Sequence, residues 1–311
     1  MVWLGNALFI SPNPSTRRFA TLLDCIASIS CLPPAHAAPQ VTIDIALANY
    51  QHSMALRAGA SRLLSRAAPL ARSLSQDVAS PAARSVSTFS LPDLKYGYAS
   101  LEPHFDEKTM TVHHTRHHQT YVSNLNGVLT GEHGSEIQDL SLSQIQRKVS
   151  SLPEAIRTTV MNHGGGHYNH TLFFSILAPE TETTSAPVDE LKTMVETDFG
   201  SFDAMRKEFN AAAMKVFGSG WAWLGVGNDG KLCISNTRNQ ENPLMEGIVD
   251  APSTPIMGLD IWEHAMYLKY LNRRPEYIDA FWHIIDWEQV AANYSAARDG
   301  QTAIFDVPME E

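Results

Sequence analysis

The chain has 311 residues, 44% of them hydrophobic, and a net charge of −10, enough for one or two globular domains with real cores. Residues 1–90 hold seven Arg, no Lys and three acids, whereas the remainder carries 16 basic and 30 acidic side chains; a body that acidic is no general nucleic-acid binder, because neutralising phosphate needs clustered Lys and Arg. Cys25 and Cys31 leave Cys233 alone in the acidic body, which excludes a disulfide framework there, and no apolar run reaches the roughly 18 residues of a membrane span.

Residues 1–89 read as a presequence. In 54–89, Arg57, Arg62, Arg66, Arg72 and Arg84 lie among Ala, Leu and Ser, with Asp77 as the sole acid. Leu63, Leu64 and Leu70 can share one helical face, and this Arg-rich, acid-poor amphipathic pattern marks an organelle transit peptide. The expected address is the mitochondrial matrix, with a plastid as the alternative and cleavage near Arg84–Ser90. A polar extension without an address is the plainer reading. Residues 1–53 contain Pro12, Pro14, Pro33, Pro34 and Pro39 and show no sustained period. They read as an untranslated stretch ahead of a true start at Met54, or as a poor secretory signal with Ala-His-Ala at 35–37.

The working protein begins near Ser90 to Pro92. A helix is expected from Met110 to about Gly127, capped by Thr109 or Asp106. A glycine-rich connection leads to a short helix, Leu142 to Val149, and then to a long one from about Pro153 through Leu177. Gly164–Gly166 interrupt that helix at about 1 kcal/mol each against Ala, so something must approach closely there. After a linker at 178–187, helices are expected at Val188–Thr197 and Phe202–Phe217. Trp221–Val226 and Lys231–Asn236 flank Asn228-Asp229-Gly230 and read as a β-hairpin; Ile256–Asp260 can add a third strand. Helices Trp262–Asn272 and Tyr277–Ala297 complete the body. The fold class is therefore α+β: a helical N-terminal domain over 90–178, a mixed C-terminal domain over 188–297 and a tail at 298–311.

Histidines gather within this frame. His113, His114, His117 and His118 fall within six residues, and His113 and His117 share a helix face. His167 and His170 follow, and Asp260 and His264 are again four apart. Each group alone is more often a solvated helix face or a surface pair than a set of ligands. Together, neutral imidazoles with one carboxylate suit a redox-active first-row metal such as manganese or iron, whereas structural zinc more often recruits Cys.

Specific blocks narrow this further. Leu91-Pro-Asp-Leu-Lys-Tyr96, His113-His-Thr-Arg-His-His-Gln-Thr-Tyr121, Gly164-Gly-Gly-His-Tyr-Asn-His170, Gly218-Ser-Gly-Trp-Ala-Trp-Leu224 and Asp260-Ile-Trp-Glu-His264-Ala occur in order. Over residues 91 to about 297 the chain resembles the iron/manganese superoxide dismutase family. The resemblance implies an N-terminal helical hairpin domain followed by a C-terminal α/β domain with a small three-stranded antiparallel sheet. It implies metal ligands His113, His170, Asp260 and His264, one ion per chain, with His167 at a neighbouring position. Superoxide would be the substrate and a homodimer or homotetramer the assembly.

The resemblance also implies an outer shell. Gly166 stands where iron-type members carry Gln, and Gln240 supplies the amide as in manganese-type members. Tyr121 and His117 match the hydrogen-bonded route towards solvent; Trp221, Trp223 and Trp262 match the aromatic wall, although core packing alone would also explain them. Glu263 and Tyr267 match residues that cross a subunit boundary. Arg274 and Arg116 match positions near the substrate funnel. Phe174, Met266 and His163 depart from the usual Trp, Tyr and Asn. Alternatives are an iron-loaded or metal-promiscuous dismutase, a metal-storage protein and a non-catalytic structural protein of the same fold; the last would be marked by loss of a ligand or of Gln240, and all are present.

Overall fold

The computed structural model describes residues 87–301 and 309–310. The presequence reading of residues 1–89 lies outside these but for its last three positions, as does most of the 298–311 tail. A two-residue strand β1 (Thr88–Phe89) pairs antiparallel with β5 (Met309–Glu310). Among the described residues no helix is long and apolar enough to cross a membrane.

Helix α1 (residues 107–129) starts where the Asp106 carboxylate accepts from the Thr109 N–H at 2.9 Å, satisfying a free first-turn donor. It is not the regular helix expected from the sequence, because His113–His118 form a π-helical turn between α-helical Glu107–Val112 and Gln119–Leu129. In a regular helix residues five apart diverge by about 140°. The wider turn brings His113 and His118 to one side, and both are buried.

Helix α2 (Leu142–Lys148) begins with a capping box between Ser141 and Gln144. Helix α3 (Glu154–Ser175) then runs antiparallel along α1: the His113 ring lies near Phe173, His118 near His167 and Tyr121 near Gly166. The glycine triplet is explained by this approach. A Cβ on Gly165 would sit 2.2 Å from the Gln240 carbonyl oxygen, and one on Gly166 would sit 2.4 Å from the Tyr121 ring.

Helix α4 (Asp189–Phe199) ends at Gly200 in the left-handed region, φ +83°, and Ser201 caps α5 (Phe202–Lys215). Strands β2 (Gly220–Val226), β3 (Leu232–Arg238) and β4 (Thr254–Asp260) form an antiparallel sheet in the order β3-β2-β4. Every residue of central β2 is buried, and its register sets Trp221 opposite Asp260 on one side and Thr237 on the other.

Helices α6 (Glu263–Tyr270), α7 (Arg274–Phe281) and α8 (Trp287–Arg298) follow. The single helix expected over Tyr277–Ala297 is thus two. Between them Ile285 bridges Leu177, the Ala178 N–H donates to the Ile284 carbonyl at 2.9 Å, and the Asp286 N–H to Ile176 at 2.8 Å. Tertiary pairing wins here over helix propagation, and Asp286 restarts the helix by accepting from the Gln289 N–H at 3.0 Å. One continuous apolar core joins the hairpin to the sheet domain.

Candidate metal centre

Four elements bring four potential ligand atoms together. His113 comes from the π turn of α1, His170 from α3, Asp260 from the end of β4 and His264 from α6. The Nε2 atoms of His113 and His264 each lie 3.1 Å from Asp260 Oδ2, and that of His170 lies 3.6 Å away. Ligands about 2.1 Å from a common ion would be separated by about 3.0–3.6 Å. His113, His170 and Asp260 are buried, and His264 is 12% exposed.

The surroundings hold His170 and Asp260 in place. His170 Nδ1–H donates to the Gly166 carbonyl at 2.7 Å, which leaves the lone pair on Nε2. That buried Nε2 has no hydrogen-bond partner among the described residues and faces an oxygen lone pair of Asp260. Two lone pairs facing each other in a dry interior repel, and a cation between them removes the repulsion. Asp260 Oδ1 accepts from the Trp262 N–H at 2.8 Å, and the Asp260 carbonyl accepts from the Tyr277 hydroxyl at 2.9 Å.

Burial favours neutral imidazoles, lowering His113 to about 4 and His170 well below the ordinary value. Burial alone would raise Asp260, but His264 and the contacts with His113 and His264 outweigh it and hold the carboxyl below its usual range. Three neutral nitrogens and one anionic oxygen fit a divalent or trivalent cation.

Around the ligands runs a network of side chains. Gln240 Oε1 accepts from the Trp221 indole N–H at 3.1 Å and from Asn169 Nδ2 at 3.0 Å, and Gln240 Nε2 donates to the Tyr121 hydroxyl at 3.1 Å. Burial pushes Tyr121 up to about 12, so the phenol keeps its proton at neutral pH. Trp223 stacks behind Trp221 at 5.3 Å and donates to Thr237 Oγ1 at 2.8 Å. Trp262 stacks on His264 at 5.3 Å while donating to the Asn239 carbonyl at 2.9 Å.

Comparison with known proteins identifies both domains. The alpha-hairpin domain of the iron/manganese superoxide dismutases matches residues 88–178, and their C-terminal domain matches residues 187–293. The chain belongs to the iron/manganese superoxide dismutase family. A superoxide dismutase named for manganese from Listeria monocytogenes is 50% identical over 211 residues, 68% of this chain and 100% of the relative. One from Yersinia enterocolitica, also named for manganese, is 48% identical over 212 residues, again 68% and 100%.

In this superoxide dismutase the remaining expected residues are placed as follows. His117 stacks on His264 with ring centroids 4.2 Å apart, and its side chain makes no hydrogen bond among the described residues. Glu263 and Tyr267 lie exposed on α6. Arg274 is tied to the backbone, donating to Val216 at 2.6 Å and Gly218 at 3.5 Å, and Arg116 is exposed. Phe174 keeps an aromatic wall, with ring centroids 5.1 Å from His113 and 5.8 Å from His118. Met266 is buried, and His163 lies 3.5 Å from Asn124.

Asn169 was not among the expected site residues. Fully buried, it donates to the Gln240 carbonyl at 3.1 Å as well as to its side chain, and accepts from Asn242 at 3.0 Å. Its position directly before His170 was the available signal: next to a ligand, a buried amide needs partners.

Proposed function

We propose that this chain converts two superoxide anions and two protons into oxygen and hydrogen peroxide, using one manganese ion held by His113, His170, Asp260 and His264. The observation that carries the reading is the convergence of three imidazole nitrogens on one buried carboxylate oxygen, with the His170 lone pair directed inward. When bound, the ion supplies the electron exchange, alternating between the +3 and +2 states so that one superoxide is oxidised and the next reduced.

The chain's own residues do the rest. Gln240, locked at Oε1 by two donors, has two Nε2 hydrogens and gives one to Tyr121; the other remains for an oxygen species in the site. Such an amide shifts the balance between redox states, as outer-shell hydrogen bonds do generally. Tyr121, protonated and hydrogen-bonded to that amide, is the proton donor on the way to peroxide, and His117 beside His264 continues the route. Trp221, Trp223 and Trp262 exclude bulk water. Arg116 and Arg274 supply local positive potential for an anionic substrate in an acidic body.

Manganese is favoured over iron because Gln240 supplies the outer-shell amide and Gly166 has no room for one while Tyr121 is in place. The same donor set also accepts iron, which is the second reading. Reconstitution with each metal, followed by a superoxide dismutation assay, tests both: turnover with manganese well above that with iron is expected, and inactivity with both contradicts the proposal.

Two further proposals concern assembly and address. Exposed Glu263, adjacent to His264, is suited to accept the free ring N–H of a ligand in a second copy, and Tyr267 to reach the second copy's relay, which gives a twofold, self-complementary interface in a homodimer or within a homotetramer. Sedimentation as a fully active monomer at micromolar concentration would end that proposal. Residues 54–89 are proposed as a removable import presequence for the mitochondrial matrix, with a working domain over 90–178 and another over 188–297. A reporter carrying 54–90 should enter mitochondria; plastid import would change the address, and a cytosolic reporter would refute the presequence.

A further inference from the structure

A second group of metal-type donors lies outside this centre. His104 precedes α1, Glu180 opens a short turn after α3, and His283 follows α7. His104 Nε2 and His283 Nδ1 lie 3.0 Å from Glu180 Oε2 and Oε1 respectively. The two imidazoles stack nearly parallel, with centroids 4.6 Å apart and planes at 5°. One ligand atom from each of the three residues falls within 4.8 Å of the others.

We propose that His104, Glu180 and His283 form a second, zinc-binding site that ties the start of the helical hairpin and the linker to the C-terminal domain. Two imidazole nitrogens with a carboxylate that can bind through either oxygen are a borderline donor set, suited to zinc and its first-row neighbours; magnesium and calcium prefer all-oxygen sites. As a plain hydrogen-bonded trio, each ring donates one N–H to one oxygen of Glu180. A zinc ion replaces both N–H donors, uses one lone pair from each ring and leaves both rings neutral.

The backbone around all three residues is already anchored. The His104 carbonyl accepts from the Tyr270 hydroxyl at 2.6 Å. Pairing of 176–178 with 284–286 fixes Glu180 and His283 two residues or fewer from a long-range backbone hydrogen bond or bridge. His283 and Glu180 are 46% and 52% exposed and His104 15%, so two ligands are free to turn onto the ion while the third is held. A cavity of about 200 Å³ beside Glu180 and His283, lined also by Thr183 and Thr184, leaves space for solvent ligands. The nearby Arg206 charge is engaged by Asp279 at 2.6 Å. This site is independent of the dismutase reading.

The test is calorimetric titration of the full chain, manganese-loaded, with zinc chloride, with manganese content measured before and after. Expected are uptake of one zinc per chain at micromolar concentration with no loss of manganese, and a melting temperature raised by several degrees. His283→Ala and Glu180→Gln should each weaken zinc binding by about tenfold or more, and His133→Ala, outside the trio, should not. Absence of saturable uptake, zinc uptake matched by manganese loss, or equal affinity in parent and both trio variants would overturn the proposal.

Discussion

Replacing Asn169 by Ala tests whether Gln240 is held from behind. The substitution removes two donors to Gln240 and one acceptor for Asn242 from a fully buried position. Gln240 Oε1 keeps the Trp221 indole and Asn242 keeps Gln146 at 3.3 Å, so the Gln240 backbone carbonyl is the group that loses its side-chain donor. A buried polar group without its partner costs about 1–3 kcal/mol, and the vacated volume adds about 1 kcal/mol. At about 2–4 °C per kcal/mol for a body of this size, the melting temperature should fall by about 5–15 °C. Turnover should fall by about tenfold, because the amide is then positioned by Trp221 and Tyr121 alone. Calorimetry, stopped-flow dismutation kinetics and elemental analysis read the three quantities separately. Parental stability together with parental turnover would refute the reasoning; loss of metal would place Asn169 in support of His170 instead.

Gln240→Ala should keep the metal and lower turnover by about 10- to 100-fold, measured by the same kinetics; unchanged kinetics would contradict the redox role. Gly165→Ala should destabilise more than Gly164→Ala in thermal melts: the added Cβ meets the backbone oxygen of Gln240 at 2.2 Å in the first and the movable Gln146 amide at 2.8 Å in the second. Acid should weaken the fold through His118 and His167, which lie 2.8 Å apart. Burial pushes His118 well below its ordinary value and His167 to about 3. The unfolded chain therefore binds more protons as pH falls below about 6.5; His167 removes about 1.4 kcal/mol of stability per pH unit down towards 3, and His118 acts in the same direction. Urea unfolding at pH 7, 6, 5 and 4 checks this, and a flat profile would count against it.

The sequence made most of this molecule legible, for identifiable physical reasons. The first helix start was marked by Asp106, one of the two caps expected, and the hairpin by Asn228-Asp229-Gly230, because capping and turn chemistry act over a few residues. The glycine triplet signalled close approach before its partners, Gln240 and Tyr121, were known. Two features stayed hidden because they depend on distant segments. No Gly or Pro marks the break after Phe281, which exists because Ile285 pairs with Leu177. The π turn at His113–His118 turns both ends of that hexapeptide to the buried side. At the site, spacing alone left His167 and His170 equivalent. Structure separates them: His170 faces Asp260, whereas His167 is directed to His118. The trio of His104, Glu180 and His283 carried no sequence signal, since its members are brought together only by the completed fold.

That separation gives the most direct test of the metal centre. The metal content of purified His170→Ala and His167→Ala should be compared with the parent by elemental analysis. The expected result is one manganese per chain in the parent, near-complete loss in His170→Ala and substantial retention in His167→Ala. Equal metal content in all three proteins would contradict the assignment of His113, His170, Asp260 and His264 as the ligands.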